Sequence, residues 1–214
     1  MKQMSAKEAV GLIIRSISHR QHDGKPAIVL VATRSYNQKR EDVWDALTNA
    51  ERIPKWFLPI TGDLRAGGNY QLKGNASGKI VVCEPPGRLK LTWGMQGQDS
   101  WVNLSLTAAN GGGTELSLEH IAHIPQEMWE QYGPGATGIG WDLSMFGLEQ
   151  HFAASPVVVP ETADEWMASK EGKEFVLLSS DAWRQVSVQS GTGKEAAKAA
   201  AENVTRFYLG EDGG

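Results

Sequence analysis

The chain contains a single cysteine, Cys83, among 214 residues. One thiol forms no intrachain disulfide and builds no cysteine metal cage, so packing and hydrogen bonding must hold the fold. Long apolar runs are missing too. No stretch approaches the ~20 residues that a membrane-spanning helix needs, and the apolar cluster from Val10 to Ile14 ends at Arg15, too short for a signal-peptide core. The expectation is a cytoplasmic protein without membrane insertion. Basic charge is not in excess either: 21 Lys and Arg against 25 Asp and Glu leave a formal charge of −4. Such a chain lacks the positive footprint that phosphate backbones require, so nucleic acid is not an expected partner. The glycines between residues 62 and 68 match neither a phosphate loop nor a dinucleotide fingerprint and read as a bend at the start of a curled sheet. No cofactor is implied.

What is present is 41% hydrophobic residues, enough for one substantial core. Residues 9–36 read as a hairpin: Val10, Leu12 and Ile14 alternate on the first strand, Ala27 to Thr33 form the second, and Asp23-Gly24 supplies the positive φ angles of a tight turn. Residues 39–49 switch to helical spacing, with Val43, Trp44 and Leu47 on one face. Thr48-Asn49-Ala50-Glu51 offers a capping box for a second short helix, which must stop near Ile53 because Pro54 follows. An aromatic elbow, Lys55-Trp56-Phe57-Leu58-Pro59, comes next. Five strands then follow at 68–72, 79–84, 89–95, 100–108 and 114–122, separated by short breaks of turn chemistry.

Alternation along these strands is clean. Leu89, Leu91, Trp93 and Met95 face one way, as do Val102, Leu104 and Leu106, then Leu116 and Leu118, with polar residues between them. A sheet with one apolar face needs one cover. Trp141, Met145, Leu148 and Phe152 form a single helical stripe within residues 137–153 and supply it. Beyond Pro156–Pro160 the pattern is helical, with a stripe at Phe175, Leu178, Ala182 and Val186 and a last Ala-rich helix ending at Gly210. The expected organisation is one domain over residues 1–155, with a helical extension over 156–214 packed on it. The fold class is α+β: a curled antiparallel sheet gripping a long helix, with extra C-terminal helices.

The stretch Arg40-Glu41-Asp42-Val43-Trp44-Asp45-Ala46-Leu47-Thr48, continuing through Ile53-Pro54-Lys55-Trp56-Phe57, resembles the first-helix signature of the START and birch-pollen-allergen-like superfamily. Gly62 to Tyr70, Glu84-Pro85-Pro86-Gly87-Arg88-Leu89 and Gly112-Gly113-Thr114-Glu115-Leu116 resemble its next landmarks. Together they look like the branch named for the activator of the 90-kDa heat-shock-protein ATPase, over roughly residues 26–153. The resemblance implies a helix-grip fold with a cavity between sheet and helix for lipids, sterols, polyketides or other apolar molecules. Some relatives of this kind are cyclases or hydrolases, and one branch stimulates a chaperone, so fold is fixed better than function.

The first functional expectation is non-enzymatic binding of a hydrophobic small molecule, lined by Trp56, Phe57, Trp93, Met95, Val102, Leu104, His120, Trp141, Met145 and Leu148. A cyclase or hydrolase reading needs His120 to converge with Asp142 or Glu149 on that cavity. A solvated helix face is the plainer reading of the two carboxylates. A co-chaperone role and a homodimer are left open. His120 and His123 have no third ligand at a recognisable spacing, so no metal site is assigned. Gly133 to Gly140 reads either as a gate before the covering helix or as a plain turn.

Overall fold

The computed structural model describes residues 4–95, 97–153 and 162–211. The chain begins with a short helix, α1 (Ala6–Gly11). Ser5 caps it: the Glu8 amide donates to Ser5 Oγ at 3.3 Å, and the Ser5 amide donates to the Glu8 carboxylate at 2.8 Å. Val10 is therefore helical rather than part of a first strand. Its burial with Ala6 and Ala9 against Phe146 and Phe175 follows helical spacing.

Strand β1 (Ile14–His22) turns into β2 (Lys25–Tyr36) through Asp23 and Gly24, whose φ angles of 48° and 75° are those a two-residue hairpin turn demands. After α2 (Arg40–Thr48) come β3 (Ile60–Gly62), β4 (Asn69–Leu72), β5 (Ser77–Glu84), β6 (Arg88–Met95), β7 (Gln98–Ala108) and β8 (Thr114–Ala122). All pairings are antiparallel, in the order β1-β2-β8-β7-β6-β5-β4-β3, so the sheet curls without closing. Gln96, expected in the β6–β7 break, lies outside the described residues, as does the Pro156–Pro160 break.

Register lines up the concave face. Leu30, His120, Val102, Leu91 and Ile80 form one cross-strand row, and Ala32, Leu118, Leu104, Leu89 and Cys83 form the next. A bulge between Ile80 and Val82 lets both Ile80 and Cys83 face inward, since one extra residue reverses strand parity. The convex face is not wholly polar. Ala27, Val29 and Ile121 are buried there, with Trp101 and Val31 packed on them. The rings of His22 and His123 lie 4.2 and 5.4 Å from Trp101.

The helix α3 (Gln126–Tyr132) leads into α4 (Gly135–Phe152), which crosses the concave face. Helix α4 is apolar on most sides because it is covered on two: the sheet on one and α6 (Lys170–Gln189) on the other. Gly133 and Pro134 form the plain turn into α4, whereas the glycines of residues 135–140 lie within the helix and serve packing. A Cβ on Gly138 would collide with the Trp183 ring, and one on Gly135 would sit 2.8 Å from Val204 Cγ1. Helix α5 (Ala163–Ala168) precedes α6, and α7 (Lys194–Leu209) packs on α6 and α3, closed by Gly210 at φ 70°. The buried face of α6 is Phe175, Val176, Ser179, Ser180, Trp183 and Ser187. Of the expected stripe only Phe175 is fully buried and Leu178, Ala182 and Val186 are half-buried, because α6 is wedged between α4 and α7 and its serines permit close approach on that side. No helix among the described residues is long and apolar enough to cross a membrane.

Candidate functional site

The elbow after α2 forms one wall of the site. Thr48 does not cap a following helix; its hydroxyl donates back to the Trp44 carbonyl at 2.8 Å. Asn49 takes over, accepting the Glu51 amide at 2.9 Å. Ile53–Lys55 then make a single 3-10 turn with Pro54 near its start, where the missing N–H costs nothing. Trp56 is fixed by its indole N–H, which donates to the Ala46 carbonyl at 3.0 Å, and by stacking on Phe57 at 5.4 Å. The elbow lies directly on α4: a Cβ at Gly147 would stand 2.6 Å from the Trp56 carbonyl oxygen.

Between elbow, sheet and α4 lies a cavity of about 110 Å³. Its roof is Trp141, Ser144, Met145 and Leu148 of α4; its floor is the inward row of β4 to β8; Ile53, Trp56, Phe57, Ile60 and Leu64 close the outer side. Leu91, Trp93 and Leu104 keep accessible surface although their strands lie inside the sheet, as residues facing a void should. The hydroxyls on the wall are already committed as donors: Tyr70 to the Thr92 carbonyl at 2.7 Å, Ser144 to the Gly140 carbonyl at 2.7 Å.

Eight of the expected lining residues border this space: Trp56, Phe57, Trp93, Val102, Leu104, Trp141, Met145 and Leu148. Met95 does not. It has the right parity but is the last residue of β6 and is 45% exposed. His120 does not line the cavity either. Its Nδ1 accepts the Trp141 indole N–H at 2.9 Å and its Nε2 meets Ser100 Oγ at 2.8 Å. Since the indole can only donate, the imidazole is neutral with its proton on Nε2, and burial pushes its pKa down to about 4. Not foreseen were the contributions of β4 and β5, Tyr70, Leu72, Ile80 and Cys83. The bulge that turns Cys83 inward has no mark in the alternation.

The acid–base grouping does not assemble. Asp142 is fully buried and faces away from the cavity, accepting from Arg15 Nη2 at 2.9 Å, from Trp183 Nε1 at 3.1 Å and from the Ser179 hydroxyl. Burial pushes its carboxyl pKa up, opposed by the Arg15 guanidinium and these donors. Glu149 pairs instead with the buried Arg34 at 3.3 Å. The solvated-face reading fails for Asp142 because α6 covers that side of α4. Among the described residues no three His, Cys, Asp or Glu side chains gather as a metal site.

A family model for "Activator of Hsp90 ATPase homolog 1-like protein" matches residues 37–153, which span α2, the elbow, the meander and α4. The chain belongs to this family. Members of the activator of Hsp90 ATPase homolog 1-like family share the helix-grip fold seen here. CalU16 from Micromonospora echinospora is 32% identical in its crystal structure, with a TM-score of 0.64, covering 81% of this chain and 97% of that one. Its solution structure gives 31% identity and a TM-score of 0.67 over 84% and 97%. The protein MLL2253 from Mesorhizobium loti is 23% identical, with a TM-score of 0.51 over 57% and 95%, a likeness of fold alone. No curated protein matches.

Proposed function

We propose that this family member binds an uncharged, ring-bearing apolar small molecule between its sheet and α4, and catalyses no reaction on it. The carrying observation is a void bordered by five aromatic residues, Trp56, Phe57, Tyr70, Trp93 and Trp141, and by no Asp, Glu, Lys, Arg or His among the described residues. Aromatic walls favour flat partners through stacking and edge contacts. An ionised carboxylate there would lose hydration without a counter-charge, a cost of several kcal/mol in order of magnitude. Fatty-acid anions are thereby disfavoured.

Volume sets the scale. About 110 Å³ is near the ~150 Å³ of dry apolar cavities that admit benzene, and below the ~300 Å³ at which ligand pockets usually begin. A one-ring or two-ring molecule is the natural occupant; a lipid or polyketide skeleton requires the elbow to lift. Titration with 1-naphthol and with 1-naphthoate, followed by tryptophan fluorescence, tests this. Naphthol binding at least tenfold tighter than naphthoate, lost in a folded Met145→Glu variant, is expected. Equal affinities, or binding untouched by that substitution, overturn the proposal.

A further inference from the structure

The elbow that closes the cavity is tied down at one point by charged side chains. Arg52, immediately before the 3-10 turn, donates through Nη1 to Asp42 at 2.7 Å and to Asp45 at 2.9 Å, both on α2. Its other edge reaches α4: Nε and Nη2 lie 3.3 and 3.2 Å from His151 Nε2. A guanidinium only donates, so His151 Nε2 must accept, which requires a neutral imidazole protonated on Nδ1. Arg52 also lies over the Phe152 ring at 5.9 Å. One turn earlier on α4, Gly147 receives the Trp56 carbonyl. The same helix face thus holds both ends of the segment whose Ile53, Trp56 and Phe57 border the cavity.

We infer that Arg52 and His151 form a proton-sensitive latch that holds the elbow over the cavity and releases it when His151 takes up a proton. Protonation places a hydrogen on the atom that accepts from Arg52 and sets two cations about 3 Å apart. Among the described residues, the elbow and α2 both contribute to the balance. Arg52 and Lys55 of the elbow oppose a charged His151, Asp42 of α2 favours it, and Asp45 is engaged through Arg52. Desolvation, then the Arg52 and Lys55 charges, holds the His151 pKa below its usual value. The closed elbow therefore disfavours the proton and the lifted elbow accepts it. Opening is favoured as pH falls below about 6.5, by up to about tenfold per pH unit until the closed state also titrates. The consequence for ligand exchange rests on the binding proposal, whereas the motion rests on the Arg52–His151 geometry alone.

Two measurements keep them separate. Hydrogen exchange of the elbow amides, including Lys55 and Phe57, which donate to Arg52 and Ile53 carbonyls at 2.9 Å, reports opening without any ligand. Once corrected for intrinsic exchange rates, their protection should fall several-fold to tenfold between pH 7.5 and 5.5. In His151→Gln, where an amide oxygen accepts from Arg52 but does not titrate, protection should stay level. The dissociation rate of 1-naphthol should follow the same pattern. A wild-type elbow with pH-independent protection, or a pH response that survives in His151→Gln, overturns the latch. Failure of naphthol to bind at all overturns the binding proposal and leaves the exchange result to decide the latch.

Discussion

Filling the void is a test whose sign depends on whether the space is real. Leu104 sits mid-strand in β7, opposite Leu89 and Leu118, and borders the cavity. Leaving about 110 Å³ open forgoes roughly 2.6 kcal/mol at ~24 cal/mol per Å³ of residual cavity. Leu104→Phe adds three carbons, worth ~2 kcal/mol at ~0.8 kcal/mol per buried methylene, which lies within that deficit. The variant should be stabilised by about 1–2 kcal/mol, seen as a raised urea midpoint at unchanged m-value and a Tm increase of roughly 2–8 °C for a chain of this length. Its affinity for 1-naphthol should drop at least tenfold. In a solidly packed core the same change is overpacking and costs ~1–3 kcal/mol. A folded Leu104→Phe protein that is destabilised by more than 1 kcal/mol, with unchanged ligand affinity, refutes the void and the reasoning built on it.

Asp142→Ala leaves the Arg15 guanidinium buried without its anion and should lower stability by about 3–5 kcal/mol in urea titration; a loss below 1 kcal/mol means the pair is not desolvated as described. Gly147→Ala gains about 1 kcal/mol of helix propensity but drives a methyl onto the Trp56 carbonyl. A net loss of about 1 kcal/mol with weaker protection of the elbow amides is expected, and a stabilised variant with unchanged protection speaks against that contact. With the His120 pKa held near 4, the unfolded chain takes up this proton first as pH falls. Stability is full above about 6.5 and declines by about 3 kcal/mol on the way to pH 4. Acid titration of His120→Gln should lack that component, and parallel curves for the two proteins dismiss it.

The meander was legible because each strand carried a strict period of two and each break carried its own turn residues; β6, β7 and β8 begin or end within two residues of expectation. Helix α1 was equally written, in Ser5-Ala6-Lys7-Glu8, but three apolar residues at period two, Val10, Leu12 and Ile14, outweighed four at a helix start. Parity named the face of Met95 and His120 correctly and could not give their distance from the cavity, which depends on where α4 crosses the strands. Asp142 was the furthest from reach. Its partner Arg15 is 127 positions away, and a carboxylate on a helix reads as solvated until another helix covers it. The same holds for Gly135 and Gly138, whose meaning is the bulk of Val204 and Trp183 on elements much later in the chain.

Those long-range partners explain why a void persists at all. An apolar cavity of about 110 Å³, worth at most roughly 2.6 kcal/mol, should close by letting α4 settle onto the sheet unless something directional prevents it. Apolar contacts cannot do so, being tolerant of small shifts. Polar contacts can, because a hydrogen bond weakens steeply with angle and distance, and breaking a buried one costs ~1–3 kcal/mol, more where a charge is involved. Helix α4 carries such contacts on both sides. Asp142 binds Arg15, Ser179 and Trp183 behind it, while the Tyr36 hydroxyl donates to the Met145 carbonyl at 3.1 Å and Trp141 donates to His120 in front. Collapse of the cavity would break several of these at once, for more than the void costs. Helix α6, which borders no part of the cavity, thus acts on it from behind by fixing how far α4 stands from the sheet.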